Sequence, residues 1–221
     1  MKAKRRIWVS LGLMVAFALW TAAATCVDVQ PIGPQGSQVG FATINGLFHQ
    51  WTGVHLPLYV LTDWLSLVPV VVGLGFAFLG LAQWIRRGYL SRVDGSLLAL
   101  GGFYLVMLAV YILFERVVIN RRPVLLNGVL EASYPSSTTV LVLCVMLTAA
   151  MQVKQRLRSV FWQRLTLAVI WAYAVLMVLG RLVSGVHWLS DIIGGVLVSA
   201  GLVTAYRVVC DRREETAKPS A

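Results

Sequence analysis

The chain has 221 residues, of which 58% are hydrophobic and 13% charged, and its mean hydropathy is +0.78. Soluble domains carry roughly a quarter of their residues charged, so this composition excludes an ordinary soluble domain and implies a membrane protein. The formal net charge of +10 would suit nucleic acid, but the placement of the cations excludes that partner.

Runs long enough to cross a bilayer, about 20 apolar residues, lie at Ile7–Cys26, Leu56–Ile85, Leu97–Ile119, Thr138–Val153, Leu165–Val183 and Leu189–Val209. They predict an all-α polytopic bundle of six transmembrane helices, a single integral domain over residues 1–221 with a polar tail at 210–221. Lys2, Lys4, Arg5 and Arg6 precede the first run; Arg86, Arg87 and Arg92 follow the second; Lys154, Arg156, Arg158 and Arg164 follow the fourth; Arg207, Arg212, Arg213 and Lys218 close the chain. With alternating spans all of these fall on one side. The positive-inside rule makes that side cytoplasmic, as in a bacterial-type inner membrane, and puts both termini there. Arg116, Arg121, Arg122 and Arg181 fall on the opposite face, where orientation bias depletes arginine, and a ligand accounts for them better than topology does.

The first run, MKAKRR followed by apolar residues and TAAATC, also has the layout of a signal peptide. An uncleaved span fits the bundle better. Cys26, Cys144 and Cys210 lie in or at the ends of spans without metal-type spacing, which predicts packed thiols, no disulfide framework and no metal or other cofactor. Residues 27–55 lack Lys and Arg and turn at Pro31, Gly33, Pro34 and Gly36; a short interfacial helix is expected over Phe41–Trp51. His49 and His55 then stand on the outer side. Asp63 falls near the outer end of the second span, where an ionisable group needs a partner or water. Gly101 and Gly102 in the third span permit close helix approach.

Three outer segments carry chemistry. In Glu115–Pro123, ERVVINRRP, the proline ends a helix beside two forked cations. In Glu131–Val140, EASYPSSTTV, Pro135, Ser136, Ser137 and Thr138 have the form of a helix start, with hydroxyl caps and free N–H groups that suit an anion. In Gly180–Asp191, GRLVSGVHWLSD, His187 and Asp191 stand four apart, so that a helix after Gly185 would put both on one face and let the carboxylate fix the imidazole tautomer. Arginines from two segments, a helix N-terminus and an oriented histidine together make a phosphate cradle with a nucleophile.

These residues resemble the type 2 phosphatidic acid phosphatases, which share their site with vanadium haloperoxidases. That family's pattern is Lys, six residues, Arg-Pro; then Pro-Ser-Gly-His; then Ser-Arg, five residues, His, three residues, Asp. Arg122-Pro123, Pro135-Ser136, and Arg181, His187 and Asp191 match it over about Glu115–Asp191, within a family-like core of about 95–209. Glu115 replaces the lysine, Thr138 the second-motif histidine and Gly180 the serine. The resemblance implies that His187 attacks phosphorus to give a phosphohistidine, with Asp191 behind it and Arg122, Ser136, Ser137 and Arg181 on the phosphate. Arg116 or Arg121 would restore the lost positive charge, and His49, His55 or Glu131 would replace the absent acid. The expected activity is hydrolysis of a membrane lipid phosphate or diphosphate. An isoprenyl diphosphate suits a site without that acid better than phosphatidate, because its leaving group is a phosphate whose second pKa is about 6. The rival readings are a catalytically silent lipid-phosphate binder and, with less support from the sparse intramembrane polar residues, a transporter.

Overall fold

The computed structural model describes residues 2–217, so Lys218 lies outside the described residues. Eight α-helices follow in order: α1 Lys2–Cys26, α2 Ala42–Thr52, α3 Leu56–Leu65, α4 Leu67–Arg87, α5 Gly95–Arg116, α6 Ser137–Arg156, α7 Val160–Val183 and α8 Leu189–Ala217. Among the described residues six segments are long and apolar enough to span a membrane, α3 and α4 counting together as Leu56–Arg87. The chain is an all-helical integral membrane protein.

The second span is broken, and proline explains where. Pro69 has no N–H to offer the carbonyl four residues back and its ring crowds that carbonyl. The carbonyl is that of Leu65, the last residue of α3, and it instead accepts a hydrogen bond from Tyr173 Oη of α7 at 2.7 Å. The fifth element also stops at Arg116, three residues before the expected end at Ile119. The polar tail expected at 210–221 is helical as far as Ala217, because α8 continues past its apolar stretch.

α6 and α8 form the centre, with 61% and 56% of their most apolar windows buried, against 6–28% for the other spans. Lipid-facing helices keep exposed apolar surfaces such as Trp8, Leu74, Phe78 and Leu105, as the bilayer favours. One core joins Phe17 of α1, Leu100 and Phe103 of α5, and Val198 and Leu202 of α8; a second joins Val142 and Met146 of α6 to Ile170 and Ala174 of α7. α1 pairs most extensively with α8. At their crossing a Cβ on Gly201 would come within 2.7 Å of Met14 Sδ, and Ser10 Oγ donates to Gly201 O at 2.9 Å. Small residues at such crossings replace the hydrophobic effect that lipid removes. Gly101 and Gly102 do not serve this purpose: both are exposed, and nothing lies within 4 Å of where their Cβ atoms would be.

The two chain ends meet at one end of the bundle, where Arg6 of α1 pairs with Asp211 of α8. Asp94, just before α5, pairs there with Arg87 and Arg156 at 2.9 and 3.0 Å. The segment 27–55, the connection 117–136 and the turn 184–188 gather at the opposite end. Cys144 and Cys210 are buried, whereas Cys26 at that opposite end is exposed and not the packed thiol expected.

Candidate active site

The connection between α5 and α6 folds back on itself. Asn127 and Gly128 take left-handed φ values of 50° and 78°, the conformation of an Asn-Gly hairpin turn, and Leu126 and Val129 bridge across it. Arg121 is thereby set opposite Ala132, and Arg122 N donates to Glu131 O at 3.1 Å. The two arginines then part. Arg121 is exposed and its guanidinium donates to Leu130 O at 3.0 Å, while Arg122 is 8% exposed and points inward. Arg122 Nε donates to Glu131 Oε2 at 2.9 Å, leaving Nη1 at 3.2 Å from His187 Nε2.

Arg181 reaches the same atom from the last turn of α7. It is 2% exposed, its Nη2 lies 3.4 Å from His187 Nε2, and its guanidinium stacks 4.8 Å over the Tyr59 ring. Thr62 Oγ1 at 3.5 Å and Asp63 Oδ1 at 3.7 Å hold Nη1, which gives the intramembrane Asp63 its partner. Guanidinium groups only donate. Both arginines therefore meet a lone pair on Nε2, which places the imidazole proton on Nδ1.

His187 is not on a helix. It sits in the turn between α7 and α8, so its nearness to Asp191 does not come from the helical face expected. Asp191 lies in the first turn of α8, and its Oδ2 accepts from Trp188 N at 3.0 Å, capping the helix from within. His187 Nδ1 is 3.8 Å from the same oxygen, beyond hydrogen-bond length, and has no other partner. Burial pushes the His187 pKa down to about 4; Arg122 and Arg181 push the same way, and Asp191 opposes them. The group is a neutral imidazole at physiological pH.

Gly185 makes this turn possible. Its φ is +70°, and a Cβ there would lie 2.1 Å from Gly53 O. The neighbouring Ser184 O accepts from His55 N at 3.0 Å, so the site turn is pinned to the segment before α3.

Three buried polar side chains complete the site, none of them singled out from the sequence. Asn120 Nδ2 donates to Asp191 Oδ1 at 3.0 Å and to Ser190 Oγ at 3.2 Å, while its Oδ1 accepts from Gly40 N at 3.2 Å. Asn45 of α2 grips Ser190 twice, accepting from its N–H at 3.1 Å and donating to its Oγ at 2.9 Å. No signal in the sequence marked them, since Asn45 stands beside Gly46 and Asn120 beside Arg121 in outer segments where an asparagine is ordinary. Such a residue is buried at cost unless fully bonded.

The N-terminus of α6 also faces the site, though not as a hydroxyl-capped start. Ser136 is fully buried and makes no side-chain cap; its Oγ accepts from Thr139 Oγ1 at 3.0 Å and its N donates to Asp191 O at 3.1 Å. Ser137, Thr138 and His187 line one cavity of about 320 Å³ with the apolar side chains of Met107, Leu108, Phe114 and Leu141, and with Tyr111 and Glu115. The remaining expected residues lie further out. Arg116 is exposed at the end of α5, His49 packs against Trp188 with ring centroids 5.4 Å apart, and His55 Nε2 meets Thr52 O at 2.9 Å. Among the described residues neither histidine hydrogen-bonds or stacks with His187. No cluster of three or more His, Cys, Asp or Glu able to hold a metal occurs among the described residues.

Fold and site together define a polytopic helical membrane protein with a histidine flanked by two arginines at one end of its bundle. The chain belongs to the PAP2 superfamily, which matches residues 102–215. It is similar in structure to a transmembrane PAP2 type phosphatidylglycerolphosphate phosphatase from Bacillus subtilis, solved by crystallography. The two are 20% identical with a TM-score of 0.53, covering 96% of this chain and 98% of that one. No curated protein matches the chain.

Proposed function

We propose that the protein is a membrane lipid phosphate phosphatase working through His187. One observation carries the reading: the lone pair of a buried neutral imidazole faces two guanidinium groups, at 3.2 and 3.4 Å, at the end of an apolar cavity. A phosphoryl group entering between them takes their hydrogen bonds, which frees the lone pair to attack. Arg122, Arg181, the exposed part of Ser137 and the N-terminal N–H groups of α6 stabilise the charge on the transferring oxygens. Ser136 supports them through α6. The bond from Nε2 to phosphorus forms as the bond to the leaving oxygen breaks, and the negative charge of Asp191, 3.8 Å from Nδ1, stabilises the resulting imidazolium. Water then attacks phosphorus, the P–N bond breaks, and phosphate leaves.

Of the three replacement acids suggested by the sequence, Glu131 is the one joined to the cradle, by its bond to Arg122. Its Oε2 already accepts from Arg122 Nε at 2.9 Å, which places it to accept a proton from the incoming water and not to donate one to an alkoxide. The site thus favours a leaving group that needs no acid. An isoprenyl diphosphate meets that need, and its chain has the slot beside Met107, Phe114 and Leu141. The name of the Bacillus subtilis protein puts a phospholipid monoester beside it as the substrate to compare. In this reading residues 1–221 are one integral domain, the basic end with both termini is cytoplasmic, and the site faces outward.

The test is phosphate release by detergent-purified protein from an isoprenyl diphosphate, phosphatidylglycerophosphate and phosphatidate, with His187→Ala as control. Release lost in the variant supports the phosphatase. Binding of these lipids without release from any would instead support a silent binder, the reading that Thr138 in place of the second-motif histidine favours.

A further inference from the structure

At the end of the bundle remote from His187, a second cavity of about 540 Å³ opens between α1, α6, α7 and α8. Its rim carries cations from three helices, Arg6 of α1, Lys154 of α6 and Arg207 of α8. Arg6 is paired with Asp211. Lys154 and Arg207 are exposed, and neither side chain makes an ion pair or hydrogen bond among the described residues. Deeper in, the walls are apolar: Leu147 on α6, Val203 on α8 and the half-exposed Trp171 on α7. Leu147 is two turns from Lys154, so the slot descends about 10 Å from the cations into the hydrocarbon region.

A slot in a lipid-facing wall does not stay empty, because its lining would forfeit dispersion contacts that an acyl chain supplies. Cations at the rim then choose the head group. Each lysine or arginine at a membrane surface attracts anionic lipid, and basic pockets between transmembrane helices hold phosphate head groups. The positive-inside rule explains why cations lie at this end, but not why two unpaired ones from separate helices share the rim of a slot with apolar walls. We propose that this cavity is a binding site for one anionic phospholipid, its phosphate between Lys154 and Arg207 and an acyl chain against Leu147, Val203 and Trp171. The site is separate from the one at His187 and serves to hold α7 and α8 together where they touch little.

Native mass spectrometry of the purified full chain, titrated with phosphatidylglycerol or phosphatidylcholine, tests this. The wild type should retain phosphatidylglycerol in preference to phosphatidylcholine, and the double variant Lys154→Gln/Arg207→Gln should bind it roughly twenty-five-fold more weakly, about fivefold for each charge. Thr204→Phe fills the slot while leaving both cations, and should displace the lipid independently of how the double variant folds. Equal retention of the two lipids by the wild type, or undiminished phosphatidylglycerol binding in both variants, would overturn the proposal.

Discussion

His187 ties protonation to stability and, in the proposed mechanism, to rate. Its pKa, about 4 in the folded protein, lies below the ordinary histidine value of about 6.5. Between those values the unfolded chain binds the proton that the folded one excludes, so stability is present above the higher value and lost as pH falls toward the lower. Thermal unfolding in detergent should show a melting temperature that drops from pH 6.5 to pH 4, and His187→Gln should flatten that drop. For the same reason the acidic limb of kcat/KM, which reports the free enzyme, should lie well below pH 6.5. A limb still centred near 6.5 after the substrate's own ionisation near pH 6 is allowed for would contradict the buried neutral imidazole.

Asn120 acts one residue further back. It fixes Asp191 Oδ1, while Oδ2 is held by Trp188 N. Asn120→Ala should lower kcat by about tenfold to a hundredfold, the cost of misplacing a reacting group by around an ångström, with KM little changed. A change confined to KM would mean that Asn120 serves substrate binding instead. Arg122→Lys should be costly despite keeping the charge, since one ammonium cannot bond Glu131 and face the phosphate with the same planar fork.

Among the elements, α2 and the turn 184–188 share a task that their hydropathy hides. α2 is too short to cross a membrane, yet Asn45 accepts from Ser190 N and donates to Ser190 Oγ and Gly40 O, and so fixes the start of α8. Removing it leaves buried groups unpaired, at about 1–3 kcal/mol each. Asn45→Ala should therefore lower the melting temperature and the phosphatase rate together, as differential scanning fluorimetry and phosphate release will read. Gly185→Ala should be worse for activity than its size suggests, because the added methyl meets the Gly53 carbonyl in a turn that already needs a left-handed φ. An Asn-Gly pair signals the hairpin at Asn127-Gly128, but only the structure puts Glu131 beside Arg122 through it. The break at Ser66 was legible in Pro69, although a continuous apolar run masked it.

For the molecule as a whole, the proposed outward orientation of the site has a simple probe in Cys26, exposed at the site end while Cys144 and Cys210 are buried. A membrane-impermeant maleimide applied to intact cells should label the wild type but not Cys26→Ala. Labelling only after permeabilisation would reverse the proposed orientation.

Composition and the spacing of apolar runs determined the class, the span count and the end at which the site residues gather, because a bilayer imposes length and hydrophobicity on each span separately and local sequence records both. Arg181, His187 and Asp191 stand together in the sequence, but they meet through the turn after Gly185 and not through the helical face that their spacing suggested. What the tertiary structure alone decided is which of two adjacent arginines turns inward, that Asn45 and Asn120 hold the carboxylate and the start of α8, and that His49 and His55 stand apart from His187. These depend on which side chains meet across segments 65 to 145 residues apart, and a hydrogen bond between distant segments leaves no period in the sequence from which it can be read.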